Sequence, residues 1–203
     1  HERLVGSEMC IRDRDNIMAV RLSADQAGKI SFDTNLENLI NGTAYTNTVD
    51  GDTITMRDAL STNGLNVEAQ LKVINEGGSL STGTNGGNPA ITVSGADAVT
   101  LIFACGTDYK MELPNFRGED PHKAVTARID AAAKKGYEAL KADHIADHSA
   151  LFSRVELGFD EEIPQIPTDE LIKKYRNMIE NNGGDIPTSA EQRALEIMCY
   201  QFG

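Results

Sequence analysis

The sequence has 203 residues, of which 40% are hydrophobic and 25% are charged, and its formal net charge is −12. This balance excludes a disordered or fibrous chain, and the negative charge argues against nucleic acid or an anionic membrane surface as a partner. Because no apolar run approaches the ~20 residues that a spanning helix needs, we predict a globular chain with no nucleic-acid and no membrane partner.

The cysteine and aromatic contents limit the kinds of cross-link and binding site that we expect in the chain. Cys10, Cys105 and Cys199 are odd in number and lack the spacing of metal ligands, so we expect buried thiols and no disulfide framework. The sequence contains no Trp, five Tyr and six Phe. Because sugar-binding surfaces use exposed aromatic rings, this scarcity argues against a stand-alone lectin.

Residues 1–14 show neither a helical nor a strand period. The run from Ser7 to Arg14 resembles the translated adapter sequence seen at the ends of metagenomic reading frames. We interpret residues 1–14 as a non-native scar and exclude them from the predicted fold, which would make Cys10 a non-native cysteine. A native but irregular N-terminus is the alternative.

Residues 15–113 alternate between apolar and polar side chains, which predicts strands. Turn sequences separate the strands at Asp25–Gly28, where we predict a hairpin, and at Asp50–Gly51 and Glu76–Gly78. The residues predicted on the apolar faces are Met18, Val20, Leu22, Ile30, Phe32, Leu36, Ile54, Met56, Leu65, Val67, Ala69, Leu71, Val73, Ile91, Val93, Val99, Leu101, Phe103 and Cys105. Strands of this kind without intervening helices indicate an antiparallel β-sandwich.

One segment of this region lacks the strand pattern. Residues from Ser79 to Pro89 are mainly Gly, Ser, Thr and Asn, without the GxxxxGK[ST] or GxGxxG pattern of a phosphate-binding loop. We therefore predict a plain turn region. In the strand that follows, Cys105 falls on the apolar face with Val99, which predicts a small core residue.

The period changes from two to 3.6 near residue 120. Asp120 and Pro121 predict a helix start, and Gly136 predicts its end or bend. The apolar stripe of this helix is Val125, Ile129, Ala132 and Ala133. A second helical run places the following residues on one face: Tyr137, Leu140, His144, Ile145, His148, Leu151 and Phe152. A short strand is predicted at Val155, Leu157 and Phe159.

Two further helices are predicted after residue 164. Thr168 caps the first, whose first turn contains Asp169 and Glu170. The apolar face of that helix is Leu171, Ile172, Tyr175, Met178 and Ile179. Thr188 and Glu191 predict the capping box of the second helix. The apolar residues of that helix, spaced at i, i+3, i+4 and i+7, are Leu195, Met198, Cys199 and Phe202. Because the sequence stops at Gly203 within this pattern, we expect a truncated chain.

The strongest candidate for a metal site is the pair His144 and His148. Two imidazoles at i and i+4 on a helix match the spacing of H-E-x-x-H, but Ile145 stands where the glutamate would be and no third ligand follows at a telling distance. Both residues also lie on the apolar face. We therefore predict that they pack and hydrogen-bond at a domain junction, with no metal and no cofactor.

Neighbouring carboxylates occur at Asp160, Glu161 and Glu162, and again at Asp169 and Glu170. A glycosidase uses two carboxyl groups, but adjacent acids point to opposite sides of a strand, and at a helix start they stabilise the helix dipole. No serine elbow, matched Cys and His, or CxxC motif is present. We predict no catalytic residue in these 203 residues.

Several motifs in order resemble glycoside hydrolase family 95, whose named activity is α-L-fucosidase. The strand motifs are Asp15-Asn16-Ile17-Met18-Ala19-Val20-Arg21-Leu22-Ser23-Ala24 and Gly28-Lys29-Ile30-Ser31-Phe32. The later motifs are Lys135-Gly136-Tyr137, Leu140, His144, Asp147, Leu151-Phe152-Ser153-Arg154-Val155, Leu157, Pro167-Thr168-Asp169-Glu170 and Tyr200-Gln201-Phe202-Gly203. The sequence departs from the family at Asp108, where a small polar residue is expected, and at His148, where tyrosine is usual.

The resemblance implies the later part of a β-sandwich, a helical linker and the first helices of an (α/α)6 barrel. We expect an incomplete antiparallel supersandwich at 15–113, a helical linker with a short strand at 114–163, and a truncated barrel start at 164–203. In that family the catalytic residues lie in the barrel, which here would follow Gly203. The partner of the linker would be the missing barrel domain, within the same protein.

The parent enzyme would be an inverting hydrolase of terminal α-L-fucosyl residues, with a fucosylated glycan as substrate and without a cofactor. Glycan-degrading enzymes of this kind are commonly exported, which predicts a secreted or periplasmic parent. The chain itself is then predicted to be an inactive scaffold. The alternative is a stand-alone carbohydrate-binding or interaction module.

Overall fold

The computed structural model describes residues 4–11, 15–38, 45–154, 165–181 and 190–202. The chain divides into two compact units, His1–Asp147 and His148–Gly203. The strands among the described residues are β1 (Leu4–Ile11), β2 (Met18–Ala24), β3 (Ile30–Thr34), β4 (Tyr45–Asp50), β5 (Thr53–Ala59), β6 (Asn66–Glu76), β7 (Ser79–Asn85), β8 (Asn88–Ala96) and β9 (Ala98–Thr107). The helices there are α1 (His122–Lys135), α2 (Tyr137–Phe152), α3 (Thr168–Asn181) and α4 (Ala190–Phe202).

Two antiparallel sheets form the first unit. The larger sheet has the order β1-β2-β9-β6-β5-β4, and the smaller has the order β3-β8-β7. The turn predicted at Asp50–Gly51 joins β4 to β5, where Asp50 pairs with Thr53 and Gly51 has a φ of 57°. A positive φ is readily adopted by glycine, which explains the turn at this sequence. The predicted antiparallel β-sandwich is confirmed.

The core between the two sheets is aliphatic. It contains residues from β3, β5, β6, β8 and β9, namely Ile30, Ile54, Leu71, Val73, Ile91, Val93, Ala96 and Val99. Leu101 and Phe103 pack against this core as partly buried residues. The period-two pattern therefore located these core positions correctly except Ala96, which was not among the predicted apolar residues, because alternate side chains of a strand point to one face.

The other face of the larger sheet is covered by α1. Ala19, Ile102 and Ala104 of the sheet form one core cluster with Val125 and Ile129 of α1. As a result β9 is buried on both faces. The prediction of the helix and of its apolar stripe is confirmed, since Val125, Ile129 and Ala132 are all buried.

Both ends of α1 have a local cause in the sequence. The Asp120 Oδ1 accepts a hydrogen bond from the His122 backbone N–H at 2.9 Å, which satisfies one of the free donors at the helix start. Gly136 follows the helix with a φ of 82°, and its N–H donates to the Ala132 carbonyl at 3.1 Å. Lys134 and Lys135 in the last turn complement the helix dipole.

Two predictions for the strand region are wrong. The hairpin predicted across Asp25–Gly28 does not form, because β2 belongs to the larger sheet and β3 to the smaller one. The polar segment beginning at Ser79 forms β7, which pairs with β8 from Ser79 opposite Ser94 to Asn85 opposite Asn88. Most side chains of β7 are exposed. An exposed edge strand needs no apolar face, so its sequence carries no alternation.

The excluded N-terminal segment also contributes to the sheet. Residues Leu4–Ile11 form β1 and pair antiparallel with β2, with Cys10 opposite Ala19. This strand covers the edge of β2 that does not pair with β9. The exclusion of residues 4–11 from the fold was therefore wrong, while the non-native origin of residues 1–14 stays a prediction.

The predicted apolar face of α2 is buried only at its beginning. Tyr137 and Leu140 are 7% and 3% exposed, whereas Ile145 and Leu151 are 52% and 60% exposed. The short strand predicted from Val155 lies outside the described residues.

The second unit contains α3 and α4. Leu171 of α3 and Ala194 of α4 are buried, and Lys174 Nζ lies 3.5 Å from Glu191 Oε1. Both helices match the predicted positions, and Asp169 and Glu170 lie in the first turn of α3 as predicted. Thr188, the predicted N-cap, lies outside the described residues. None of the helices in the described part of the chain is long and apolar enough to cross a membrane.

Candidate functional site

Both histidines considered as metal ligands lie on α2. His144 is half-buried and His148 is exposed, and the His148 ring stacks on Phe152 with 4.9 Å between ring centroids. Across residues 4–11, 15–38, 45–154, 165–181 and 190–202, no group of three or more His, Cys, Asp and Glu side chains could hold a metal ion. The stacking shows how His148 packs at a position where the family usually has tyrosine.

The neighbouring carboxylates show no catalytic arrangement in the described residues. Asp169 and Glu170 are exposed, and the Lys173 Nζ donates to Asp169 Oδ2 at 2.9 Å. An ion pair at i and i+4 on an exposed helix surface is a local structural contact. Asp160, Glu161 and Glu162 lie outside the described residues, so their role stays a prediction.

The cysteines differ from the prediction of buried thiols. Cys105 and Cys199 are both exposed and free. Cys105 follows Phe103 by two residues on β9, and Phe103 is the last residue of that face that packs against the sandwich core. The alternating pattern continues beyond the area that the small sheet covers, which explains why Cys105 was assigned wrongly to the core. Nothing is described of the Cys10 side chain.

A buried polar cluster connects α1 to the larger sheet. It consists of Arg57 on β5, Glu68 and Gln70 on β6, and His122 and Thr126 on α1. Glu68 is 0% exposed and Gln70 is 2% exposed. We call these five residues the Glu68 cluster. Because a buried carboxylate is costly without partners, the contacts of Glu68 decide whether α1 can lie here.

Glu68 receives three contacts through its two oxygens. The Gln70 Nε2 donates to Oε1 at 2.6 Å, and His122 Nδ1 lies 2.8 Å from the same oxygen. The second oxygen, Oε2, lies 3.3 Å from Arg57 Nε but makes no hydrogen bond of standard geometry with the described residues. The Gln70 Nε2 also donates to Thr126 Oγ1 at 2.8 Å. The carboxylate thus links both strands to the helix.

Asp120 extends the Glu68 cluster toward the start of α1. Its carboxylate accepts from Arg57 Nη2 and from the His122 backbone N–H. The His122 N–H, followed by the Arg57 guanidinium, holds the pKa of Asp120 below its ordinary value. Since Glu68 is fully buried, a substrate could reach it only if α1 moved. The chemistry of the Glu68 cluster is therefore that of positioning α1.

Asp108, one of the two departures from the family pattern, lies at the end of β9. Its side chain is buried and accepts from Asn66 Nδ2 at 2.7 Å, from the Asn66 backbone N–H at 3.1 Å and from Arg117 Nη1 at 2.8 Å. Burial acts to raise the pKa of Asp108, but the hydrogen bonds from Arg117 and Asn66 outweigh it, so this pKa lies below its ordinary value. Asp108 therefore connects the loop before α1 to β6.

Lys135 connects three segments of the first unit. Its Nζ lies 2.6 Å from Asp15 Oδ2 and 2.7 Å from Asp143 Oδ2. Hydrogen bonds to Asp143 and then to Asp15 raise the pKa of Lys135. These contacts join the segment that leads into β2, the last turn of α1 and the middle of α2. They give a structural reason for the Lys135-Gly136-Tyr137 motif.

Sequence reasoning did not identify the Glu68 cluster. Glu68 and Gln70 are polar residues that alternate with the apolar residues of their strand, and polar residues at that period usually face solvent. The signal available was the second apolar stripe, at Val125 and Ile129, which needed a surface to cover. When a helix covers the polar face of an alternating strand, neither face of that strand is exposed to solvent.

Comparison with known proteins gives two family matches in consecutive parts of the chain. Residues 5–112 match the sequence model described as "Glycosyl hydrolase family 65, N-terminal domain". Residues 136–203 match the one described as "Glycosyl hydrolase family 95 catalytic domain". The first match includes most of β1, and the second begins at the residue that ends α1. The domain boundaries at residues 14, 113 and 163 stay predictions.

One curated relative is similar over most of this chain. It is named "Probable alpha-fucosidase A", from Aspergillus niger (strain ATCC MYA-4892 / CBS 513.88 / FGSC A1513), and is 29% identical over 171 residues. The aligned region covers 79% of this chain and 21% of the relative. The chain therefore spans about one fifth of that relative's length.

Proposed function

The chain belongs to the family described as "Glycosyl hydrolase family 65, N-terminal domain", and from this match together with the family 95 match over residues 136–203 we propose that it is part of an α-L-fucosidase-like enzyme. The enzyme would remove terminal α-L-fucosyl residues from glycans. The observation that carries this proposal is the order of the two matches within one chain. The name of the similar Aspergillus niger protein supports the fucosyl specificity.

Within that enzyme, the role of these residues is to position the catalytic domain. The Glu68 cluster and the apolar face of α1 fix this helix on the sandwich, and Lys135 connects α1 to α2. Residues from Gly136 onward match the catalytic family. A helix fixed at the sandwich and continuous with the start of that match would set the orientation of one domain against the other.

The reaction would be hydrolysis with inversion of the anomeric carbon. A carboxylic acid protonates the leaving oxygen while a second carboxylate activates water on the opposite face of the sugar, with the two groups about 6.5–9.5 Å apart. We propose that this pair belongs to the barrel part of family 95 and not to the residues of this chain. The fucosylated glycan is then the substrate of the whole enzyme.

The test uses an enzyme in which this chain is continuous with a complete family 95 catalytic domain. It is incubated with nitrophenyl α-L-fucoside and with a fucosylated oligosaccharide, and the anomer of the first product is read by proton NMR. We expect β-L-fucose to appear before the equilibrium mixture. Release of the α anomer first would contradict inversion, and hydrolysis of other nitrophenyl glycosides in preference to the fucoside would contradict the specificity.

A further inference from the structure

Two adjoining cavities lie beside the loop that leads from β9 to α1. The first, of about 410 Å³, is lined by Tyr109, Lys110 and Arg117 among others. The second, of about 580 Å³, is lined by residues of α1 that include Lys123 and Arg128. Thr107 and Glu119 line both cavities. We call these two adjoining cavities together the 107–128 groove, and each has a volume within the range of ~300–1,000 Å³ that is typical of ligand pockets.

The charge of the 107–128 groove differs from that of the chain. The whole sequence carries a net charge of −12. The groove is lined by four basic and three acidic residues, namely Lys110, Arg117, Lys123, Arg128, Asp108, Glu119 and Asp120. Four basic and three acidic residues give the lining a formal charge of +1, opposite in sign to that of the chain, which favours an anionic ligand there over the rest of the surface.

Ion pairs decide which of these charges face a ligand. The Asp108 carboxylate forms an ion pair with Arg117. The Asp120 carboxylate forms one with Arg57, which does not line the groove. The remaining acid of the lining is Glu119. Lys110 Nζ pairs with Glu112 Oε1 at 2.7 Å, so the remaining bases are Lys123 and Arg128. The Arg128 Nη1 donates to the Cys105 carbonyl at 3.2 Å. The guanidinium keeps further donors for a carboxylate or sulfate.

An exposed aromatic pair stands at one end of the groove. Tyr109 is 53% exposed and Phe116 is 40% exposed, and their rings are parallel within 3° with 6.5 Å between centroids. Tyr109 also lines the first cavity. The apolar face of a pyranose ring packs on an aromatic ring of this kind. The aromatic pair therefore adds sugar recognition to a basic groove.

The loop that carries these rings is fixed at its base. Tyr109 and Arg117 form an isolated antiparallel bridge, and the Arg117 Nη2 donates to the Asn63 carbonyl. Arg117 also pairs with the buried Asp108. Because the loop is held before a ligand arrives, binding would cost little ordering of the backbone.

From these observations we propose that the 107–128 groove binds an acidic glycan, that is, a chain of sugars carrying carboxylate or sulfate groups. One sugar ring packs on Tyr109, the anionic groups contact Lys123 and Arg128, and Glu119 accepts hydrogen bonds from sugar hydroxyls. This inference rests on the proposed glycan-acting function. It adds to that function a binding site on the sandwich, which would hold an acidic glycan near the enzyme.

The test measures binding of the 203-residue chain to polygalacturonate by affinity electrophoresis and calorimetry. We expect Tyr109→Ala and Lys123→Gln each to weaken binding by about tenfold, the effect of one lost stacking or charge-assisted contact. The matched control is Lys134→Gln, which removes the same charge from an exposed position at the other end of α1 and is expected to bind within about twofold of the unaltered chain.

Three further measurements define the ligand class. Methyl-esterified polygalacturonate, which lacks the charge, is expected to bind at least about tenfold more weakly. Raising the ionic strength from about 0.05 to about 0.5 M should weaken binding to the charged polymer. Equal binding to polyphosphate or single-stranded DNA would overturn the assignment to glycans. No binding to the charged polymer, or equal losses for Lys123→Gln and Lys134→Gln, would overturn the site.

Binding and hydrolysis separate this inference from the proposed function. Binding to polygalacturonate requires no catalytic domain, whereas we do not expect hydrolysis of nitrophenyl α-L-fucoside to depend on the 107–128 groove. An enzyme that fails to hydrolyse fucosides while this chain still binds polygalacturonate would contradict only the proposed function. An enzyme that hydrolyses fucosides while the chain fails to bind would contradict only the groove.

Discussion

At its central strands β6 and β9, the six-stranded sheet is buried on both faces, but different chemistry covers each face. Toward the smaller sheet the contacts are aliphatic, and Val73 and Val99 are fully buried among other apolar side chains. Toward α1 the sheet also buries Glu68, Gln70 and Thr100. Apolar contacts tolerate many partners, whereas buried polar groups need specific ones. The α1 face therefore depends on particular residues of the helix, and the sandwich face depends mainly on volume.

The sandwich face should show the largest effect of a single change. Ile54 is 0% exposed, and Ile54→Ala removes buried volume that the two packed sheets cannot close. We expect the free energy of unfolding to fall by about 2–5 kcal/mol, measured by urea denaturation followed by circular dichroism. Thr48→Ala on the exposed side of β4 is the control and should change it by less than about 0.5 kcal/mol.

The α1 face should be sensitive to charge as well as to volume. Glu68→Gln keeps the shape of the side chain but removes the charge that faces Arg57 and His122. We expect a loss of about 1–3 kcal/mol of unfolding free energy, because Arg57 and His122 are themselves partly exposed and solvent replaces some of the interaction.

The control for this change is Glu112→Gln, at an exposed pair with Lys110. It should cost less than about 1 kcal/mol. A Glu68→Gln protein as stable as the unaltered chain would show that the Glu68 cluster does not position α1.

The approach of α1 to the sheet can be tested without changing charge. A Cβ atom at Gly106 would lie 2.9 Å from Val125 Cγ2 and 3.4 Å from Pro121 Cβ. Gly106→Ala should therefore push the start of α1 away and cost about 1–3 kcal/mol in thermal and urea unfolding. Gly83→Ala on β7 is the matched control, since a Cβ there meets nothing within 4 Å. Equal stability of the two variants would contradict the close packing of α1.

The smallest expected effect is the acid dependence of stability. Because hydrogen bonds in the folded state lower the pKa of Asp108, this carboxylate stabilises the fold fully above its ordinary pKa of 3.8 and loses that contribution as the pH falls through the lower, folded value. Asp108→Asn should reduce the melting temperature most near neutral pH, and the difference should shrink below 3.8.

The control for the pH series is Asp25→Asn, at an exposed position in the turn after β2. The melting temperature of this variant should depend on pH in the same way as that of the unaltered chain. An Asp108→Asn difference that stays constant down to acid pH would contradict the assignment of the lowered pKa to Asp108.

The sequence predicted those strands and helices whose hydrophobic pattern reflects burial of a single face. The apolar positions of β5, β8 and α1 were identified because alternation and the 3.6 period each reflect burial on a single side. The ordered motifs also resemble glycoside hydrolase family 95. The match of residues 136–203 to the catalytic domain of that family agrees with this resemblance.

Features that depend on contact with another element could not be predicted. Ser79–Asn85 forms a strand because the adjacent β8 pairs with it across the Gly86–Gly87 turn, although its own residues are polar and mostly exposed. The burial of Glu68 depends on α1, which lies more than fifty residues away in the sequence. Cys105 is exposed because the smaller sheet ends before it. In each case tertiary contact overrode the local pattern.

The most direct test of the proposed role compares catalysis by the 203-residue chain with catalysis by the enzyme that also contains a complete family 95 catalytic domain. Both are purified and incubated with nitrophenyl α-L-fucoside at equal molar concentration. We predict hydrolysis by the longer enzyme and no release of nitrophenol above the buffer rate by the 203-residue chain. Turnover by the 203-residue chain alone would contradict the claim that its residues position, and do not perform, the reaction.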